Sequence, residues 1–230
     1  KQGVQLWAWM KPGDFRYVLK NSQRDCFIKN GREYLNMGAS GFYLMMDDLH
    51  GRKKNDPLYH VREKDALYHS ILIKELYQSI GNKLKAICGE SYYGAIPGRY
   101  DYYWKLIFKE LPKDVMVTWT GKSIWNRTLQ VAQVPEIGRP ILFFENYFAS
   151  DSSKPEKAPI YPYKGRAPGL KNYFDAVLIN PNNHYPWQYC ALHTAIAFWK
   201  NPEKYKPETA FKNAVRDLGD MYFNDLKTKN

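Results

Sequence analysis

Three cysteines in 230 residues, Cys26, Cys88 and Cys190, are too few and too far apart for a disulfide framework, and their number is odd. None stands at metal-ligand spacing. This favours a reducing compartment, cytoplasm or nucleus, although the sequon "NRT" at 126–128 keeps a secreted chain open. No apolar run approaches the length of a membrane-spanning helix, and no signal peptide is visible. Internal repeats and low-complexity tracts are absent. The glycines of "PGLK" and "PYKGR" lack the spacing of a phosphate-binding loop, and no Ser–His–Asp or Cys–His arrangement has local support. An initiator Met is also missing. The chain opens "KQGVQLWAWMKPG", almost directly in a strand, which reads as a processed or partial chain with something upstream.

What is present is ordinary globular material with two biases. Hydrophobic content of 44% and a length of 230 residues suit one large domain or two small ones with a real core. Aromatic content is high at 16%, with 19 Tyr and 7 Trp, which permits a carbohydrate or nucleobase ligand. The net charge of +11 is scattered, and its densest cluster, "GRKKND" at 51–56, is a short loop-like stretch. It reads as a solvated basic surface, so neither a nucleic-acid nor a membrane partner is expected.

Strands and helices alternate. Strands are expected at 4–10, within "GFYLMMDD", at "LKAICGES", at 114–121, at 139–147 and at 174–182. Helices are expected within 23–38 and at 65–81, 100–111, 186–201 and 207–226, from apolar residues at helical spacing. Such alternation implies a parallel sheet with right-handed crossovers. The expected fold class is α/β; about six strands are visible, where a closed TIM-type barrel needs eight. A long loop rich in Ser, Lys, Pro and Gly runs over about 148–173 and could overhang a cleft.

Each strand ends in polar or glycine-rich residues, and in a (β/α) barrel those ends form the active-site face. Asp47 and Asp48 close "GFYLMMDD". Two adjacent carboxylates can cap the next helix, bind a metal or share one site for acid–base work, where repulsion and burial raise one pKa. Only His50 is near, without ligand spacing, so no metal is expected. Strand alternation points neighbours to opposite faces, so both reach one cleft only if the strand ends between them. Asn146 and Asp151 in "FFENYFASD", and Asn180 in "LINPNNH", would each alone be turn formers or caps. Together with the carboxylates they supply the donors and acceptors a polyhydroxylated ligand needs. Tyr92 in "ESYYG" and Trp119 in "VTWTG" add an aromatic floor. His193, in the helix "YCALHTAIAFW", reads as a hydrogen-bonded core histidine.

With these residues in hand, the chain resembles the catalytic domain of glycoside hydrolase family 84, the O-GlcNAcase family. The resemblance runs in order over nearly the whole chain: "WAWMKPGDF", "FYLMMDDL", "CGESYYG", "VTWTGKSI", "GRPILFFENYFASD", "YPYKGR", "LINPNNH" and "ALHTAIAFWKNPEKYKPETAF". It is most similar to the animal enzymes. The resemblance implies a (β/α)8-barrel hydrolase that removes β-linked N-acetylglucosamine (GlcNAc) from Ser and Thr of proteins or from other glycoconjugates, without a cofactor. It also implies substrate assistance, an exception to the usual nucleophilic carboxylate, with the sugar's own acetamide forming an oxazoline. By match of position, Asp47 would orient and polarise the acetamide N–H. Asp48 would protonate the leaving oxygen and then activate water. Tyr92 would bond near the acetamide, Asn146, Asp151 and Asn180 would hold the sugar, and Trp119, Thr120 and Ile124 would line the pocket.

Two departures accompany the match. Phe144-Glu145-Asn146 stands where the family usually has Trp-Asp-Asn, so the wall beside the Asn is altered. The match also begins near the third barrel strand, so residues 1–230 would be a catalytic barrel covering about strands 3 to 8. The first two strands would lie on another chain, a separate N-terminal segment, or outside this sequence, or else the fold is modified. The alternative function is a non-catalytic glycan-binding or scaffold protein built on an incomplete barrel.

Overall fold

A computed structural model describes residues 4–12, 21–47, 62–89, 101–150, 160–185 and 187–228. The elements are β1 (Trp7–Met10), α1 (Asn21–Asn36), β2 (Gly41–Met45), α2 (Arg62–Ile80), β3 (Leu84–Cys88), α3 (Asp101–Glu110), β4 (Met116–Trp119), β5 (Ile141–Glu145), β6 (Ala176–Ile179), α4 (Trp187–Lys200) and α5 (Pro207–Thr228). The strands form one six-stranded sheet in chain order. Pairings β1–β2, β2–β3 and β3–β4 are parallel. All six expected strands and five expected helices are present. Among the described residues the β/α alternation lapses after β4: only single 3-10 turns, Val131–Gln133 and Pro168–Asn172, stand between β4 and β6.

The chain packs as two compact units, Lys1–Trp119 with Pro135–Leu142, and Thr120–Val134 with Phe143–Asn230. In the first, strand pleating sorts the side chains. Phe42, Leu44 and Met46 alternate onto the face covered by helices, where they meet Ile28 of α1, Leu72, Ile73 and Leu76 of α2, and Ile107 of α3. Polar links pin these helices. Arg24 of α1 forks onto Glu75 of α2, with Nε–Oε2 at 2.8 Å and Nη2–Oε1 at 3.2 Å. His69 Nδ1 and the Tyr103 hydroxyl share a buried hydrogen bond of 2.8 Å between α2 and α3. Arg139 closes the C-terminus of α3 by donating to the carbonyls of Phe108 at 2.7 Å and Pro112 at 3.0 Å.

In the second unit, α4 divides its apolar faces between two clusters. Ala191, Ala195 and Phe198 pack with Tyr147, Phe148 and Tyr163, while Cys190 packs with Ala214 and Leu218 of α5. His193 is not the core residue expected: its side chain is 31% exposed and Nε2 lies 3.7 Å from Asp217 Oδ2 of α5. The helix reads as apolar nearly all round, yet the stripe containing His193 and the 44%-exposed Ile196 faces outward. No helix among the described residues is long and apolar enough to cross a membrane.

Candidate active site

Asp47 follows β2 by two residues and is 4% exposed. The ladder extends beyond β2, with the Met46 N–H donating to the Cys88 carbonyl at 2.8 Å, so the backbone entering Asp47 is held. By parity Asp47 shares the sheet face of Tyr43, opposite the helix-covered Phe42, Leu44 and Met46. That face sets the polar groups of Tyr43 and Asp47 beside Met45. The Tyr43 hydroxyl shares a 2.8 Å hydrogen bond with Thr118 Oγ1 of β4. Burial, with the neighbouring Cys88 and Asp47 adding to it, pushes the Tyr43 phenol well above its ordinary pKa. Lys11, just past β1, brings its ammonium to 3.9 Å from Asp47 Oδ1. Asp48 lies outside the described residues. Since β2 ends at Met45, strand pleating does not dictate which way Asp48 turns.

Trp119, 3% exposed, ends β4, and Thr120, 1% exposed, follows it. The succeeding loop is built around Asn126. Its Nδ2 donates to the carbonyls of Thr120 at 2.6 Å and Ser123 at 2.8 Å, and its Oδ1 accepts from the Ser123 N–H at 3.3 Å. Thr120 Oγ1 donates to the Ser123 carbonyl at 3.3 Å, and the half-buried Ile124 rides on this turn. Gly121 makes the turn possible: its φ is +103°, and a Cβ there would stand 2.3 Å from Asn126 Nδ2. The "NRT" asparagine is therefore engaged inside the fold.

Asn146 and Asn180 follow β5 and β6 by one residue each, and the structure brings them together. Asn180 Nδ2 donates to Asn146 Oδ1 at 2.9 Å, and the Asn180 N–H donates to the Glu145 carbonyl at 2.9 Å. Asn146 is 4% exposed, and its carbonyl accepts from the Ala149 N–H at 3.1 Å, closing a turn. Two residues beyond Asn180, the fully buried Asn182 accepts from the His184 N–H at 2.9 Å and from Gln188 Nε2 at 2.9 Å. Tyr92 and Asp151 lie outside the described residues. No cluster of three or more His, Cys, Asp or Glu suited to a metal occurs among the described residues.

The family model described as beta-N-acetylglucosaminidase matches residues 1–228. The chain belongs to the beta-N-acetylglucosaminidase family. Protein O-GlcNAcase of Rattus norvegicus is 25% identical over 175 residues, and that of Mus musculus 26% over 173. Each match covers 71% of this chain and 19% of the relative, so the chain spans about a fifth of the curated relatives it matches. A mutant of the Thermobaculum terrenum O-GlcNAc hydrolase superposes with a TM-score of 0.76 at 20% identity, covering 94% of this chain and 48% of that one. This shows the fold. The six parallel strands belong to the TIM-type barrel architecture of the beta-N-acetylglucosaminidase family, a family of glycoside hydrolases.

Within this family member the sequence pattern found the strand-end residues but missed what holds them. Glu145, read as part of an altered wall, is a buried anion paired with Arg166. The two are far apart in the chain and share no motif, and the continuous apolar run of β5 gave no sign that the charge ending it would be fully buried. Phe144, the other half of that departure, is 8% exposed.

Proposed function

We propose that this chain is the catalytic part of a retaining β-N-acetylglucosaminidase that releases O-linked GlcNAc from Ser and Thr of proteins. The observation that carries the reading is a buried aspartate, Asp47, at the C-terminal end of β2 in a chain matched by the family model over residues 1–228. Glycoside hydrolysis needs one group to protonate the departing oxygen and another to stabilise the positive anomeric centre. Here the sugar's acetamide oxygen attacks the anomeric carbon and forms the C1–O bond of an oxazoline while the glycosidic C1–O bond breaks. Asp48 gives its proton to the leaving Ser or Thr oxygen. Asp47 accepts the acetamide N–H hydrogen bond, so that the nitrogen can carry the positive charge the ring acquires. Asp48, now a carboxylate, takes a proton from water as the water attacks C1 from the face the protein left. The acetamide is restored and configuration at C1 is retained.

Asn146 and Asn180 supply donors and acceptors for the sugar hydroxyls, supported by their own hydrogen bond. Asp151 and Tyr92 take the remaining polar contacts, the latter beside the acetamide. Trp119, Thr120 and Ile124 line the pocket, the first two being buried at the end of β4. Residues 1–230 act as one catalytic segment in the cytoplasm or nucleus. A closed barrel requires two strands more than the six seen among the described residues.

The test is hydrolysis of an aryl N-acetyl-β-glucosaminide by the purified chain. Asp47→Asn and Asp48→Asn are each expected to lower kcat about 10²–10⁴-fold with unfolding curves unchanged. Wild-type rates in both variants would overturn the proposal. Tight sugar binding with no turnover, even after the preceding strands are added, would favour the glycan-binding alternative.

A further inference from the structure

Glu145 stands one residue before Asn146, and its side chain is 2% exposed. A carboxylate at that depth needs partners on every side. Arg166, 0% exposed, presents a bidentate fork: Nε donates to Oε2 at 2.8 Å and Nη2 to Oε1 at 2.8 Å. The Tyr163 hydroxyl donates to Oε2, and the Tyr147 N–H donates to Oε1 at 2.9 Å. Two more of the Arg166 N–H groups donate to the carbonyls of Asn126 at 2.8 Å and Arg127 at 3.1 Å. Its guanidinium centre lies 4.8 Å from the Tyr147 ring centroid and 5.3 Å from that of Tyr163. Burial alone would lower the Arg166 pKa, but the hydrogen bond and charge of Glu145 outweigh it and raise it, so the guanidinium keeps its charge.

Bonds across the backbone give this pair a job beyond filling space. The Tyr147 N–H to Glu145 carboxylate bond closes a short ring that spans Asn146. From the other side, the Asn180 N–H holds the Glu145 carbonyl. The peptide on each side of Asn146 is thereby fixed. Its Oδ1 is committed to Asn180, which leaves Nδ2 to donate to a ligand. An apolar pair of similar volume would stabilise the fold as well as a buried ion pair, or better. What it could not supply is the directional bond around Asn146.

We infer that Glu145 and Arg166 are positioning residues that set the Asn146 side chain for sugar binding. This rests on the reading of Asn146 as a sugar ligand. The test is a double-mutant cycle with Glu145→Gln and Asn146→Ala in the full chain. Affinity for N-acetylglucosamine is read by calorimetry, stability by thermal unfolding, and Asn146 geometry by side-chain amide proton–nitrogen spectra of the unliganded protein. Glu145→Gln is expected to weaken binding about tenfold, the worth of one well-made hydrogen bond, and to shift the Asn146 amide signals. In the Asn146→Ala background the same change should cost no further affinity. Tyr163→Phe, which removes one donor and leaves the fork, should move both readouts less in the same direction, and it serves where Glu145→Gln does not fold. A lowered Tm with unmoved Asn146 signals and unchanged affinity would make the pair merely structural and overturn the inference, as would equal losses in both backgrounds. Should the wild type bind no sugar, the sugar-site reading fails separately. The amide spectra then decide positioning alone: displaced signals uphold it and unmoved signals refute it.

Discussion

Gly121 and Asn126 show how much one backbone position can carry. The glycine takes φ +103°, where a side chain is strained, and the asparagine amide fills the space a Cβ would need. Asn126 in turn stitches the carbonyls of Thr120 and Ser123, so the buried Thr120 and the Ile124 turn share one small scaffold. Gly121→Ala is expected to destabilise the protein by about 1–3 kcal/mol, through strain and displacement of the Asn126 amide. Urea unfolding measures this, and a change within error would mean the loop relaxes without loss. Arg127 uses its backbone in the same scaffold. Its carbonyl accepts from Arg166, and it stands 2.3 Å from where a Cβ on Gly165, at φ +82°, would sit.

At the level of elements, β2 explains how an apolar run ends in a carboxylate. Its odd and even positions meet different surroundings: Phe42 and Leu44 enter the helix-covered core, whereas Tyr43, hydrogen-bonded to Thr118, and then Asp47 take the opposite face with Met45. A one-residue slip would exchange the two sets, which is why the register is strongly specified. Helix α3 ends against a cation from a distant stretch, with Arg139 also lying 4.8 Å from the Phe108 ring centroid. Burial lowers the Arg139 pKa, but it remains a cation at the negative end of the helix dipole. Arg139→Ala should cost about 1–2 kcal/mol by thermal or urea unfolding, since it removes hydrogen bonds to the Phe108 carbonyl in the last turn and the Pro112 carbonyl just beyond it, together with ring contact. An unchanged midpoint would show that water replaces the guanidinium without penalty.

For the molecule as a whole, the many tyrosines govern alkaline behaviour. Burial pushes the phenols of Tyr43 and Tyr163 well above the ordinary 10.0, and also raises Tyr147 and Tyr205. For Tyr163 the Glu145 carboxylate adds to the effect. A raised folded pKa means the native state keeps its proton where the unfolded chain releases it. The stabilisation is complete below pH 10.0 and is lost as pH rises above that value. Tyrosinate absorbance is therefore expected to show a cooperative step coincident with loss of circular dichroism in strong alkali. A smooth titration of every tyrosine with the dichroism intact would contradict it.

The amino-acid sequence by itself determined the six strands and five helices of the described residues and their order, because pleat and helix periods are written in neighbouring residues. It also placed Asp47, Trp119, Thr120, Asn146 and Asn180 at strand ends, since a polar residue after an apolar run is a local signal. Only the tertiary structure decided the partners. Glu145 reads as part of an altered wall until Arg166 and Tyr163 arrive from later in the chain, and Asn126 reads as a sequon until its amide is seen holding Thr120. His193 looked like core until α4 was seen to bury only part of its circumference. Periodicity reports how much of a residue's surroundings is apolar. Which group satisfies a buried polar atom depends on chain segments that meet only in the fold, and no window of sequence contains both.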